Sequence, residues 1–195
     1  MVKHLYIHVP FCHRICPYCS FYKHTFGDIN QSELVESLLK ELHHRKNEYD
    51  FDIETVYLGG GTPSALSYKN LERLLSGISE IVITNDLKEW GIEVNPSTFN
   101  YNKASMIKRQ GVSRVSLGIQ SWNQSTLKTL GRDHSPRDAK KSFEILKSCE
   151  FKSLSIDLMF SIPGQNLTDW EDDLKETIAL EPQHISAYNL NYEED

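Results

Sequence analysis

The sequence predicts an α/β fold built on a parallel sheet. Short runs rich in β-branched and aromatic residues alternate with amphipathic helical stretches along the whole chain, and the segments between them are short. This alternation is typical of parallel strands joined by crossover helices. A complete eight-stranded barrel needs roughly 250 residues, and the chain has 195. Six strands therefore predict a partial (β/α)6 TIM-like open barrel, with a doubly wound sheet as the alternative.

Six strands and six helices account for most of the chain. The strands are predicted at residues 5–9, 55–58, 91–94, 114–118, 154–159 and 184–190. Helical patterns cover residues 32–49, 70–81, 103–110, 124–130, 136–149 and 168–180. Such folds bind ligands at the carboxyl ends of their parallel strands, so residues that directly follow a strand are the first candidates for function.

Capping residues mark the starts of two helices. Ser67 precedes an apolar stripe that begins at Leu71, and is predicted to cap that helix. Thr168 is predicted to cap the last helix, with Glu171 at the position that completes a capping box. The apolar stripes of both helices are expected to face the core.

The composition is that of an ordinary soluble protein, with 39% hydrophobic and 25% charged residues. The formal net charge of −6 offers no basic surface for nucleic acid, which we therefore do not expect as a partner. No apolar run reaches the roughly 18 to 20 residues that a membrane span needs, and the first residues lack the pattern of a signal peptide. These features predict a cytoplasmic protein.

The domain organisation is expected to be simple. The chain is long enough to bury one core, and no linker or repeat divides it, so residues 1–195 are expected to form one core domain. Residues 189–195 resemble the end of a strand followed by acidic residues, with no helix after them to cover the sheet. We therefore expect the sequence to be a fragment of a longer protein that continues into a C-terminal domain.

Three cysteines lie close together just after the first predicted strand: Cys12, Cys16 and Cys19. Their spacing does not suit a disulfide framework, and thiolates in this arrangement can wrap one iron-sulfur cluster on a loop. A zinc site is the alternative, with His13 or His24 as a fourth ligand. Cys149 stands apart in a helical segment and is expected to be a small hydrophobic side chain.

Three consecutive glycines, residues 59–61, directly follow the second predicted strand. Glycine lets the backbone approach a ligand closely and present its amides, although a tight turn or a phosphate cradle is also compatible with the run. Thr62 and Pro63 come next, and the proline stiffens the exit.

Four polar side chains on or after the predicted strands are further candidates. Glu93 needs a cationic or hydroxyl partner if it points inward, and is otherwise an exposed acid. Gln120 can donate and accept hydrogen bonds toward a ligand or cap the next helix. Arg132 can bind a carboxylate through two hydrogen bonds or pair with a nearby aspartate. Asp157 lies within an apolar strand and needs a partner such as ribose hydroxyls or Arg132.

Two histidines lie near these candidates. His8 faces the barrel if Tyr6 does, because alternate residues of a strand share a face. We expect His8 and His134 to be hydrogen-bonded interior histidines and assign neither to catalysis.

Six motifs, in order and spacing, resemble the radical S-adenosylmethionine superfamily along nearly the whole chain. Within it the sequence resembles the oxygen-independent coproporphyrinogen III oxidase family, including its heme chaperone branch. The motifs are LYIHVPFCHRICPYCSFY, VYLGGGTPSAL, IEVNPST, SRVSLGIQSWN, LGRDHS and IDLMFSIPGQ.

The resemblance implies a radical S-adenosylmethionine core with a [4Fe–4S] cluster and S-adenosylmethionine as cofactors. It implies that Cys12, Cys16 and Cys19 bind the cluster, whose open iron chelates the cofactor, and that electron transfer to the sulfonium yields a 5′-deoxyadenosyl radical. The glycine run is expected at the methionyl amino group, and Glu93 at that group or the ribose. The full set of implied cofactor contacts is Tyr6, Tyr18, Gly60, Gly61, Thr62, Glu93, Gln120, Arg132 and Asp157.

Three departures from the family pattern bear on the branch. The oxidase carries a further cysteine where this chain has Phe21, and it has an extension ahead of the first strand, which here begins by Leu5. Both features favour the heme chaperone branch. The third departure is Ser161, which stands where relatives have glycine and fits there if its φ is negative.

The implied function therefore has two versions within the family and one outside it. A heme chaperone implies heme or porphyrin as ligand, a respiratory protein as heme acceptor, and membrane association only through such partners. An oxidase implies decarboxylation of coproporphyrinogen III to protoporphyrinogen IX in porphyrin biosynthesis. A zinc-stabilised binding fragment is the third reading, so the sequence leaves open whether the chain is an enzyme.

Overall fold

The structure, a computed structural model, describes residues 1–27, 29–82 and 87–191. Residues 192–195, which include the acidic residues that the sequence places after the last strand, lie outside this range. The strands of the described part are β1 (Val2–Val9), β2 (Phe11–Cys12), β3 (His24–Thr25), β4 (Phe51–Gly60), β5 (Glu89–Val94), β6 (Arg114–Gln120), β7 (Ser153–Phe160) and β8 (His184–Asn189). The helices are α1 (Gln31–Glu48), α2 (Tyr68–Ile81), α3 (Tyr101–Arg109), α4 (Gln124–Thr129), α5 (Pro136–Ser148) and α6 (Leu167–Ala179).

Six of the strands form one parallel sheet in the order β1-β4-β5-β6-β7-β8, which is their order along the chain. A doubly wound sheet requires a reversal of strand order, so this alternative is excluded. In the described residues β1 and β8 are the two edges of the sheet, which is therefore an open barrel. The predicted fold class and all six predicted strands are confirmed, with ends shifted by a few residues.

The two faces of the sheet differ in chemistry. Side chains on the outer face are buried under the helices, as Leu58 on β4, Ile92 on β5 and Leu117 on β6 show. Alternate residues on the inner face are polar, among them Glu93 and Asp157. Neighbouring residues along a strand point to opposite faces of the sheet. Each strand therefore contributes apolar side chains to the outer face and polar side chains to the inner face.

The helix caps confirm one prediction and correct another. The Ser67 side chain accepts a hydrogen bond from Asn70 N at 3.2 Å, so Ser67 caps α2 as predicted. The predicted cap at Thr168 was wrong, since Asn166 caps α6 and forms a capping box with Asp169. Asparagine is a better cap than threonine, and an aspartate at the third position returns the hydrogen bond as glutamate would.

None of the described helices combines the length and the hydrophobicity needed to cross a membrane.

Candidate functional site

A cavity of about 360 Å³ lies at the carboxyl ends of the strands, on the polar face of the sheet. Its volume falls within the range of small-molecule sites. Of the twelve site residues that the sequence predicts, eleven line this cavity: Cys12, Cys16, Tyr18, Cys19, Gly60, Gly61, Thr62, Glu93, Gln120, Arg132 and Asp157. Tyr6 lies beside the cavity instead, with its side chain 56% exposed.

The cysteine loop is held by hydrogen bonds of its own backbone. Cys12 ends β2, which pairs with β3 in a small parallel ladder. Cys19 N donates to Cys16 O at 3.2 Å, and the Lys23 ammonium donates to the carbonyls of Cys19 and Phe21. All three thiols are free and half-buried, and burial raises the pKa of the Cys12 thiol. The loop thus presents three cysteines to one cavity.

The described residues contain no group of three His, Cys, Asp or Glu side chains placed to hold a metal ion. The histidines considered as zinc ligands pack against aromatic rings: His13 against Phe26, with ring centroids 5.3 Å apart, and His24 against Tyr22 at 4.9 Å. Neither histidine lines the cavity.

The glycine run makes room for neighbouring side chains, and its amides are engaged within the protein. Gly60 N donates to Glu93 Oε2 at 3.1 Å, and Gly61 N donates to Val9 O at 2.9 Å. Gly60 has a φ of +111°, and a Cβ there would lie 2.5 Å from the His8 ring. The sequence argument that these amides face a ligand was wrong, because these two N–H groups already have acceptors.

Glu93 has the hydroxyl partner that a buried carboxylate requires. Tyr57 Oη donates to Glu93 Oε1 at 3.1 Å, and the other oxygen accepts from Gly60 N. Burial raises the pKa of Glu93, and these two donors oppose the shift. A Cβ at Gly59 would lie 2.9 Å from Glu93 Oε1, so the glycine is also needed to seat the carboxylate.

Asp157 is satisfied by one serine of the neighbouring strand β6 and one serine of its own strand. Ser116 Oγ lies 2.8 Å and 2.9 Å from the two carboxylate oxygens, and Ser155 Oγ lies 3.5 Å from the first. Burial raises the pKa of Asp157, while the serine hydroxyls oppose the shift. The sequence proposed Arg132 as a partner of Asp157. The hydrogen bonds of the Arg132 guanidinium go to Asn95 and Gly118 instead.

Arg132 reaches back across the sheet toward the cysteine loop. Its Nη2 donates to Asn95 Oδ1 and to Gly118 O, each at 2.8 Å, and its Nη1 lies 3.8 Å from Cys16 Sγ. Its Nε is buried and has no hydrogen-bond partner among the described residues. The predicted alternative, a surface ion pair with a nearby aspartate, is not found in the described part of the chain.

Two non-glycine residues at strand ends adopt left-handed backbone. Gln120 has a φ of +73° at an irregularity in the pairing of β6 with β7. Ser161 follows β7 with a φ of +60°, so the negative φ that the sequence argument required of it is wrong. Such conformations cost on the order of 1 kcal/mol or more and are frequent at binding sites.

The remaining candidates are aromatic side chains, histidines and Cys149. Tyr18 is half-buried in the lining of the cavity, and burial raises its pKa. His8 bridges Tyr6 Oη at 3.1 Å and Tyr22 O at 2.8 Å. His134 is buried, and its Nε2 lies 3.2 Å from Ile119 O. Cys149 is half-buried against the core, away from the cavity.

Sequence reasoning missed three residues that build the site. Tyr57 and Ser116 hold the two carboxylates, and Asn95 joins Thr62 to Arg132. Asn95 was the most accessible to prediction, because it directly follows β5. Tyr57 and Ser116 lie within strands, where alternation alone marks them as inner-face residues.

Fold and site together define an open-barrel α/β protein with three free cysteines at one cavity, and comparison identifies its family. Residues 6–177 match the Radical SAM superfamily, and the chain belongs to it. Among curated proteins the chain is 35% identical over 191 residues to the heme chaperone HemW of Bacillus subtilis and 36% identical over 194 residues to HemW of Escherichia coli. Each alignment covers 97% of this chain and 50% of the relative.

Solved structures agree with this assignment. The coproporphyrinogen III oxidase HemN of Escherichia coli, described as a radical SAM enzyme, superposes with a TM-score of 0.84 at 25% identity. The match covers 98% of this chain and 45% of that one. The chain thus spans about half the length of the relatives it matches.

Membership of the superfamily implies a [4Fe–4S] cluster and S-adenosylmethionine, and the residues present fit both. Thiolates are the ligands that iron-sulfur clusters take, and Cys12, Cys16 and Cys19 line one cavity. Buried carboxylates in the same cavity suit a cofactor with cationic and hydroxyl groups. Arg132 Nε has no hydrogen-bond partner among the described residues and is therefore one more donor for a cofactor.

Proposed function

We propose that this chain carries the cofactor-binding part of a heme chaperone of the radical S-adenosylmethionine type. Cys12, Cys16 and Cys19 hold a [4Fe–4S] cluster, the adjoining cavity holds S-adenosylmethionine, and heme is the molecule delivered. The observation that carries this proposal is the convergence of eleven predicted residues, the three thiols included, on one cavity.

The residues divide by the chemistry they offer. A cluster held by the thiolates of Cys12, Cys16 and Cys19 would keep one iron open and would supply the electron for reductive cleavage of the sulfonium. Glu93 and Asp157 supply acceptors for the ammonium or ribose hydroxyls of the cofactor, and Arg132 and Gln120 supply donors.

Gly60, Gly61 and Thr62 bring backbone to the cavity, and Tyr18 and Tyr6 supply aromatic surface at and beside it. An ammonium has donors only, so the carbonyl oxygens of Gly60 and Gly61, and not their N–H groups, are the backbone groups that can accept from it.

Two observations favour the chaperone branch over the oxidase. Identity to the HemW proteins is 35–36% over 97% of the chain, whereas identity to the HemN structure is 25%. Phe21 also stands where the oxidase pattern has a further cysteine. The oxidase is the second candidate, since the HemN structure superposes closely. In the chaperone a respiratory protein in the cytoplasm or at the membrane surface is the acceptor.

The cluster assignment is tested by anaerobic reconstitution with iron and sulfide. Cys16→Ser is expected to abolish the visible iron-sulfur absorption, because one of three thiolate ligands is lost. Cys149→Ser serves as the matched control and is expected to keep full iron and labile sulfide. Stoichiometric zinc without labile sulfide in the purified protein would support the zinc-stabilised fragment instead.

The choice between chaperone and oxidase is tested by product analysis on the reconstituted protein with S-adenosylmethionine and a reductant. Stable heme binding without turnover of coproporphyrinogen III is expected. Appearance of protoporphyrinogen IX would contradict the chaperone and establish the oxidase.

A further inference from the structure

One amide side chain connects two of the three cysteines. Asn95 Nδ2 donates to Thr62 Oγ1 at 2.8 Å, and Asn95 Oδ1 accepts from Arg132 Nη2 at 2.8 Å. Thr62 Oγ1 in turn lies 3.6 Å from Cys12 Sγ, and Arg132 Nη1 lies 3.8 Å from Cys16 Sγ. A continuous hydrogen-bond chain therefore runs from one thiol to the other, with Asn95 at its centre.

The direction of each bond in this chain follows from donor chemistry. Arginine has donors only, so the amide oxygen of Asn95 must face Arg132 and its NH2 group must face Thr62. The Thr62 oxygen thus receives a hydrogen from Asn95, and its own hydrogen remains free for the sulfur of Cys12. Both sulfurs consequently face a donor that Asn95 orients.

The residues around Asn95 leave space for its amide and hold it in place. A Cβ at Gly118 would lie 2.6 Å from Asn95 Oδ1, so only glycine leaves space for the amide at this point of β6. Arg132 Nη2 also donates to Gly118 O, which holds the guanidinium on the same spot. The Asn95 backbone is held as well, because its N donates to Ser64 Oγ at 3.2 Å.

We propose that Asn95 is a positioning residue that aims Thr62 and Arg132 at the sulfurs of Cys12 and Cys16 and so raises the reduction potential of the cluster. Donors to cluster sulfurs stabilise the more negative, reduced state, and hydrogen bonds of this kind are one of the protein's means of setting the potential. This inference rests on the proposed function, because it requires that the cysteines hold the cluster.

The test is a redox titration of the reconstituted protein, followed by the electron paramagnetic resonance signal of the reduced cluster. Asn95→Leu has nearly the size of asparagine and removes both amide bonds. It is expected to retain the iron and sulfide content and to lower the potential. The ratio of reduced to oxidised cluster at a fixed applied potential should fall about tenfold, which for a one-electron couple is about 59 mV.

A double-mutant cycle separates positioning from a general structural effect. If Asn95 acts partly through Thr62, the shifts of Asn95→Leu and Thr62→Val are expected to be less than additive. Asn102→Asp, on the exposed side of α3, is the control and should leave the potential unchanged. Asn95→Asp keeps an acceptor for Arg132 and provides a second variant if Asn95→Leu does not fold.

The outcomes are distinguishable from failure of the proposed function. An unchanged potential in a variant that assembles the cluster would overturn the role of Asn95, and strictly additive shifts would overturn its action through Thr62. A wild-type protein that assembles no cluster would overturn the proposed function itself.

Discussion

At the scale of single residues, the site depends on buried polar groups that find their partners on other strands. Glu93 is the clearest case, since its two oxygens accept from Tyr57 and Gly60, more than thirty positions away along the chain. A carboxylate in such a place has a raised pKa, and a cation that binds next to it stabilises its charged form.

Glu93→Gln is expected to weaken the binding of S-adenosylmethionine by about tenfold or more. A hydrogen bond to a charged group contributes about 1.5–3 kcal/mol, and the neutral amide also places a donor where Gly60 N already donates. Equilibrium binding to the reconstituted protein measures the effect. Glu89→Gln is the control, because Glu89 lies on the same strand and outside the cavity. Equal losses in both variants would contradict the assignment.

His134 makes stability depend on pH. Burial lowers its pKa to about 4 from an ordinary value of 6.5. Between these values the unfolded chain binds the proton and the folded chain does not, so the free energy of unfolding falls as the pH drops from 6.5 to 4. The loss reaches about 3 kcal/mol, at 1.36 kcal/mol for each pKa unit.

Urea unfolding of the apoprotein at several pH values tests this expectation. His134→Gln cannot titrate and should show a smaller loss of stability below pH 6.5 than the wild type. Parallel pH profiles for the two proteins would exclude His134 as the source.

At the scale of elements, α6 fixes the loop that carries Gln120. Asp173 of α6 is 2% exposed and accepts from Ser121 Oγ at 2.7 Å and from Trp122 N at 2.6 Å. Trp122 Nε1 also donates to Thr177 Oγ1 on the same helix. The left-handed backbone at Gln120 thus directly precedes a segment that a neighbouring helix holds in place.

Asp173→Ala is expected to lower the free energy of unfolding by about 2–4 kcal/mol. Two donors lose their acceptor, and each buried unsatisfied group costs about 1–3 kcal/mol. Chemical denaturation measures the change, and affinity for S-adenosylmethionine should fall with it because Gln120 loses its support. Asp172→Ala is the matched control, since Asp172 is 65% exposed and its bond to Lys175 contributes little. A loss in the control as large as in Asp173→Ala would refute this account.

At the scale of the whole molecule, the core and the site occupy opposite faces of one sheet. The main apolar core lies between the outer face and the helices and contains none of Cys12, Cys16 and Cys19. The cysteine loop is joined to this body by the bond from Thr62 N to Phe11 O, by side-chain contacts of Thr62 and Arg132 with two of the cysteines, and by Tyr18, which packs on a small second cluster. Folding of the body therefore does not require the cluster.

Removal of iron with a chelator is expected to leave the sheet and helices intact. Far-ultraviolet circular dichroism should change little, and unfolding should remain cooperative, because the apolar core is complete without the cysteines. Limited proteolysis should accelerate at the cysteine loop alone. Loss of cooperative unfolding after chelation would show that the cluster supports the core.

Much of this organisation could be predicted from the sequence because it depends on local patterns. The alternation of strand and helix patterns predicted the fold, and the three cysteines after the first strand predicted the centre of the site. Errors arose where a partner is distant or a geometry is not local: the engaged amides of Gly60 and Gly61, and the left-handed backbone of Ser161.

The sequence by itself determined which segments form strands and helices, the position of the thiols and the superfamily, since each depends on residue types at short spacing. Only the tertiary structure decided which polar groups meet, as when Arg132 reaches Cys16 across 116 positions of the chain. The physical reason is that parallel pairing aligns the carboxyl ends of strands from the whole chain at one edge, and contacts made there leave no local trace in the sequence.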